Sequence, residues 1–200
     1  CLIVLYGFAN LLLVDAWRSA LAHCGVPTTL RWAIRTYGMT QLAKYVPGNI
    51  FHLAGRQAMG VAAGAPSGAL ATSMVWEFGL IGAAGALYLW FAAPLVLPDF
   101  PEASSFLMLG CSILFFASLL NKFFGLLITK CFILQSGFLV LSGITFAILT
   151  KDISSLYSAR TPWEIFSISS GAYVLAWLAG LLTPGAPAGV GIREAILLIL

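Results

Sequence analysis

Charge is what this sequence has least of. Ten Lys and Arg and seven Asp and Glu make up 8% of its 200 residues, where soluble domains carry about 25%. Apolar residues reach 60% and mean hydropathy is +0.98, so a water-soluble fold is excluded. A spanning helix takes about 20 residues, which leaves room for about five to seven spans and none for a soluble catalytic domain. The fold class expected is all-α, a polytopic membrane helix bundle forming one domain over residues 1–200. The chain begins at Cys1 and stops inside an apolar run, which reads as a piece cut from a longer protein at both ends.

Other shortages narrow the chemistry. Cys1, Cys24, Cys111 and Cys131 show no C-x-x-C spacing and lie in or beside apolar runs, as small buried hydrophobes do. The two histidines, His23 and His52, have no carboxylate at helical spacing, and no Gly-x-Ser-x-Gly elbow accompanies them. No catalytic residues, metal ligands or cofactor fingerprint are therefore expected, since the glycines of 185–191 follow no strand. The net charge of +3 is scattered, without the basic run that nucleic acid requires.

What is present is a series of apolar runs. Leu2 to Ala22 is the first, with Asp15 and Arg18 three apart on one face and suited to an interfacial anchor. Thr29 to Val46 reads as an amphipathic helix, with Arg31, Arg35, Thr36, Thr40 and Lys44 opposed to Trp32, Met39, Leu42 and Tyr45. Pro47-Gly48 ends it, and Asn49 to Gly60 follows as a half-helix too short to cross, giving a re-entrant hairpin. A long helix from Ala65 to Leu97 carries Glu77 near the membrane midplane. Next come an acidic loop at 98–102, a span from Ser104 to Leu120 and an amphipathic link from Asn121 to Lys130. A span from Cys131 to Leu149, a loop from Thr150 to Pro162 and a last span from Trp163 to Pro184 complete the series. Basic residues in 18–44 and 122–130 place those regions on the cytoplasmic side.

Two elements interrupt this pattern. Pro47 and Gly48 precede Arg56, and Pro184, Gly185, Gly189 and Gly191 precede Arg193 and Glu194; each arginine stands nine residues after its proline. Broken backbone at membrane depth is tolerated only inside protein or along a polar cavity, and paired breaks point to a midplane site between inverted repeats. The candidate substrate-binding set is Lys44, Pro47, Gly48, His52, Arg56, Glu77, Pro184, Gly185, Gly189, Gly191, Arg193 and Glu194. Each charge needs a partner or water. The arrangement expected is crosswise, Arg193 facing Glu77 or Arg56 facing Glu194, with Glu77 inside the bundle within ion-pair or water-bridged reach of Arg56 or Arg193. Guanidinium groups and freed amides suit an anionic head group such as phosphate, while a purely structural ion-pair network uses the same residues.

These motifs, Tyr45-Val46-Pro47-Gly48 with Gly55-Arg56, Glu77, and the Pro184-Gly185, Gly189, Gly191, Arg193-Glu194 element, resemble the flippase-like transmembrane domain of lysylphosphatidylglycerol synthases. The resemblance runs over nearly all 200 residues, against a usual eight or so spans. Phe78 stands where the family often has arginine, and Ile50, Phe51 and His52 replace small or acidic residues. The resemblance implies movement of an anionic or polar-headed lipid (phospholipid, aminoacyl-phospholipid or polyprenyl-linked sugar) between leaflets of a bacterial or archaeal cytoplasmic membrane, without enzymatic activity. Implied partners are the lipid and either a second copy of the chain or a glycosyltransferase or synthase. Two alternatives stay open: a membrane-embedded transferase on polyprenyl phosphates, with Glu77 or Glu194 as base, and an accessory subunit of a glycosyltransferase.

Overall fold

The computed structural model describes residues 2–46, 50–92, 102–157, 161–183 and 189–199. Pro47, Gly48, Pro184 and Gly185, four of the expected site residues, lie outside them. The described residues form α1 (Leu2–His23), α2 (Leu30–Gln41), α3 (Phe51–Ala62), α4 (Ser67–Ala86), α5 (Glu102–Phe124), α6 (Leu126–Tyr157), α7 (Pro162–Leu182) and α8 (Ile192–Ile199), with 3-10 turns at Leu42–Tyr45 and Leu87–Ala92. Among the described residues there is no strand. Five helices, α1, α4, α5, α6 and α7, are long and apolar enough to cross a membrane, and the chain is an all-α polytopic membrane bundle.

Side-chain pairs fix the directions. Asp15 meets Lys130 and Leu12 abuts Gly137, so α1 and α6 run antiparallel. Gly143 lies against Ser170 and Phe138 against Trp177, which sets α7 antiparallel to α6. Gly85 lies against Leu178 and Gly171 against Phe91, so α4 opposes α7. The end of α1 and the start of α4 therefore share one side. The α2–α3 hairpin between them enters and leaves by that side, as a re-entrant element does. Each of its arms has 12 residues, about 18 Å of helix, roughly half a bilayer.

Local chemistry explains where elements begin. Thr29 caps α2 by accepting from Trp32 N at 3.3 Å. Thr161 and Glu164 form a reciprocal capping box around Pro162, with distances of 2.8 and 3.2 Å. The junction expected at 121–130 is one residue: Gly125 at φ +83° separates α5 from α6. Only glycine adopts that conformation cheaply, and both helices run up to it. α6 likewise continues to Tyr157 through the loop expected from Thr150. The long helix from Ala65 is α-helical only to Ala86 and then tightens. In a 3-10 turn, residues three apart eclipse, which brings Tyr88 and Phe91 side by side at 5.6 Å against the core.

The faces of α2 differ from the expected ones. Arg31 and Arg35 are exposed, as are Met39 and Leu42, whereas Ala33, Thr36, Tyr37 and Thr40 are buried. Thr40 satisfies its hydroxyl on the Thr36 and Tyr37 carbonyls at 2.9 and 3.0 Å. Its methyl then faces Gly55, so α2 and α3 approach closely through small groups. Asp15 is more than an anchor: it bridges Arg18 and Lys130, at 2.7 and 2.8 Å.

Candidate functional site

The site is built around one ion pair. Arg56 on α3 and Glu77 on α4 are 5% and 8% exposed, and Arg56 Nη1 donates to both carboxylate oxygens, at 2.9 and 2.8 Å. Glu77 lies ten residues into a 25-residue span, about 15 Å from its start and close to the midplane. The guanidinium carbon lies over the rings of Trp17 and Tyr37, 5.3 and 4.8 Å from their centroids. Such desolvated cation–π contacts add about 2 kcal/mol each to what holds Arg56. The Tyr37 hydroxyl donates to Glu77 at 3.5 Å, the outer limit of a hydrogen bond. Gln135 on α6 donates to the Glu77 main-chain carbonyl at 3.0 Å and anchors the helix there.

Beside the pair is a cavity of about 30 Å³ lined by Lys44, His52, Arg56, Glu77, Tyr37 and Phe78, and closed by Trp177, Leu13, Ile81 and Leu181. It holds roughly two waters. His52 is 4% exposed and its Nδ1 has no hydrogen-bond partner, so it needs water or a ligand.

The second element also meets Trp177. The Arg193 guanidinium lies 6.0 Å from that ring, and its Nε is buried without a partner. The Arg193 stem passes between Gly180 of α7 and Gly189, where any Cβ would meet it at 2.9 Å. Gly189 and Gly191 both have positive φ, 77° and 88°, and their torsions turn the chain into α8. Glu194 is exposed and accepts from Gly191 N at 2.6 Å, capping α8.

The site residues therefore separate into groups. Lys44, His52, Arg56 and Glu77 line one cavity, and Arg193 stands one ring away. Glu194 departs from the expected crosswise pairing: its carboxylate serves its own helix end, and Arg56 is paired with Glu77. Arg193 faces the Trp177 ring, and the carboxylate of Glu77 is paired with Arg56. Trp17, Tyr37, Gln135 and Trp177 were not expected at the site. Tyr37 carried a signal in lying four residues beyond Ala33 on the small-residue face of α2. The others sit in uniformly apolar spans that mark no face. Among the described residues no three His, Cys, Asp or Glu converge as metal ligands would. In comparisons with known proteins, no family model, no curated protein and no solved structure matches this chain.

Proposed function

We propose that this chain is the core of a transporter that moves a lipid with an anionic head group between leaflets of a bacterial or archaeal cytoplasmic membrane. The observation that carries the reading is the charge balance of the site: Lys44 and Arg56 line a cavity to which the described residues bring one carboxylate, Glu77, and Arg193 adds a third cation at the Trp177 ring that closes it. Buried cations in excess of carboxylate are costly unless an anion or water meets them. A phosphate head group supplies that charge, and guanidinium groups match its geometry. The resemblance to the flippase-like domain of lysylphosphatidylglycerol synthases points the same way. Transport is favoured over catalysis because Arg56 occupies both oxygens of Glu77, which leaves that carboxylate ill-placed as a base.

A leaflet-accessibility assay tests this in proteoliposomes carrying a fluorescent phosphatidylglycerol at pH 7. Wild-type protein is expected to expose label from the inner leaflet to an external quencher, and Arg193→Lys to slow that several-fold while remaining folded. Equal rates in empty vesicles and proteoliposomes would end the transport reading.

A further inference from the structure

The cations left over at the site limit what the anion can be. Among the described residues the nearby carboxylates are already engaged: Glu77 by Arg56, Asp15 by Arg18 and Lys130, and Glu194 by the Gly191 amide. Lys44 and Arg193 pair with none of them, and the two lie close enough to repel each other. Resting on the head-group reading above, we propose that the ligand is a lipid ending in a phosphate monoester, held as a dianion by Lys44, His52 and Arg193 while Arg56 stays on Glu77.

Charge decides between the classes of phosphate. Lys44, Arg56 and Arg193 against the one carboxylate of Glu77 leave two positive charges unmet. A phosphate diester carries a single negative charge. A monoester carries close to two near neutral pH, together with three strong acceptor oxygens. The monoester therefore neutralises both leftover cations, whereas a diester leaves one of them without a counter-charge inside the membrane, where an unpaired ion is costly.

Shape points the same way. The cavity of about 30 Å³ has room for roughly two waters, which suits a group that enters end-on. A monoester leads with three unesterified oxygens and trails a single ester link. A diester carries a substituent on either side of its phosphorus and has no bare end to insert. The donors are in place for such an end. Lys44 brings three N–H groups that rotate freely. His52, one turn before Arg56 on α3, is 4% exposed with its Nδ1 unpartnered. Arg193 Nε is also buried without a partner; its guanidinium lies 6.0 Å from the Trp177 ring that closes the cavity, and it meets the phosphate once that ring turns aside. Arg56 bonds Glu77 through Nη1 alone, so the pair stays intact while the rest of the guanidinium fork remains a donor.

The test uses the whole chain in nanodiscs of zwitterionic lipid at pH 7.5, titrated with dihexanoyl phosphatidate and with dihexanoyl phosphatidylmethanol, which differs by one methyl ester. Calorimetry reads both affinities. Phosphatidate is expected to bind about tenfold tighter, the worth of one further charge-assisted hydrogen bond. Lys44→Met and Arg193→Met should each erase most of that ratio, whereas Arg35→Gln, on an exposed position of α2, should leave it unchanged. Equal affinities, or a ratio that survives either Met variant, would overturn the monoester assignment and leave the head-group reading standing. Failure of wild-type protein to bind either lipid would overturn both. Inorganic phosphate, titrated in parallel, separates the two sources of the group: weaker binding than phosphatidate supports a lipid, and equal or tighter binding would overturn the lipid assignment in favour of the free anion. Should the Met variants not fold, wild-type protein decides through salt. The ratio must persist at about 0.5 M KCl, where attraction to exposed cations is screened, and its loss would overturn the proposal.

Discussion

Replacing Arg56 with Met keeps an unbranched side chain, two atoms shorter, and removes its charge. Two costs follow from the geometry. Glu77, 8% exposed and bound by Arg56 at both oxygens, is left as an unpaired buried charge, a loss of about 3 to 5 kcal/mol. The contacts of the guanidinium with Trp17 and Tyr37 are replaced by thioether contacts, a loss of about 1 to 3 kcal/mol. The single variant should therefore lose about 4 to 8 kcal/mol. Adding Glu77→Gln removes the unpaired charge, and the double variant should return to within about 1 to 3 kcal/mol of wild type. Reversible unfolding in mixed micelles at pH 7, carried around the full double-mutant cycle, gives the coupling energy directly. A coupling below about 1 kcal/mol would show that water already screens the pair, and the argument from a buried midplane charge would then fail.

Two further outcomes are expected. Arg193→Ala should change stability by less than about 1 kcal/mol, because among the described residues no carboxylate pairs with Arg193; a loss of 3 kcal/mol or more in the same unfolding assay would reveal a structural partner. Gly180→Ala places a methyl 2.9 Å from the Arg193 stem and 3.2 Å from Gly189 Cα and should cost about 1 to 3 kcal/mol. Gly7→Ala meets nothing within 4 Å and should be neutral or stabilising by up to about 1 kcal/mol; equal effects in thermal unfolding would refute the close contact.

The membrane bundle and the re-entrant hairpin were legible because composition and Pro47-Gly48 act locally, through solvation and through the backbone. Arg56 and Glu77 stood out for the same reason: a charge in an apolar run declares itself. The partners did not, because pairing depends on which helices touch. Arg193 and Glu194 are adjacent in sequence yet part company, one turned to an aromatic ring and one to a helix end. Helix lengths were misjudged where charged or polar residues were taken as loops. Lys122 stands inside α5, Lys130 inside α6 finds Asp15, and α6 carries on past Thr150. The faces of α2 were misjudged because threonine can satisfy its hydroxyl on its own helix and then behave as a small apolar group, which periodicity of polar residues does not reveal.

The re-entrant hairpin also has a consequence for biogenesis. Because α2 and α3 enter and leave by one side, Arg56 reaches the midplane without ever crossing to the far compartment. Its counter-ion arrives 21 residues later in the chain, on the helix made immediately afterwards. A lone arginine or glutamate at the centre of a membrane helix carries an insertion penalty of about 2.5 to 3.5 kcal/mol, but the two can enter together as a neutral unit. A nascent chain halted before Ser67 is thus expected to keep its hairpin at the surface, open to water-soluble thiol reagents at a cysteine replacing Met59. The same position should close to those reagents once α4 has been synthesised.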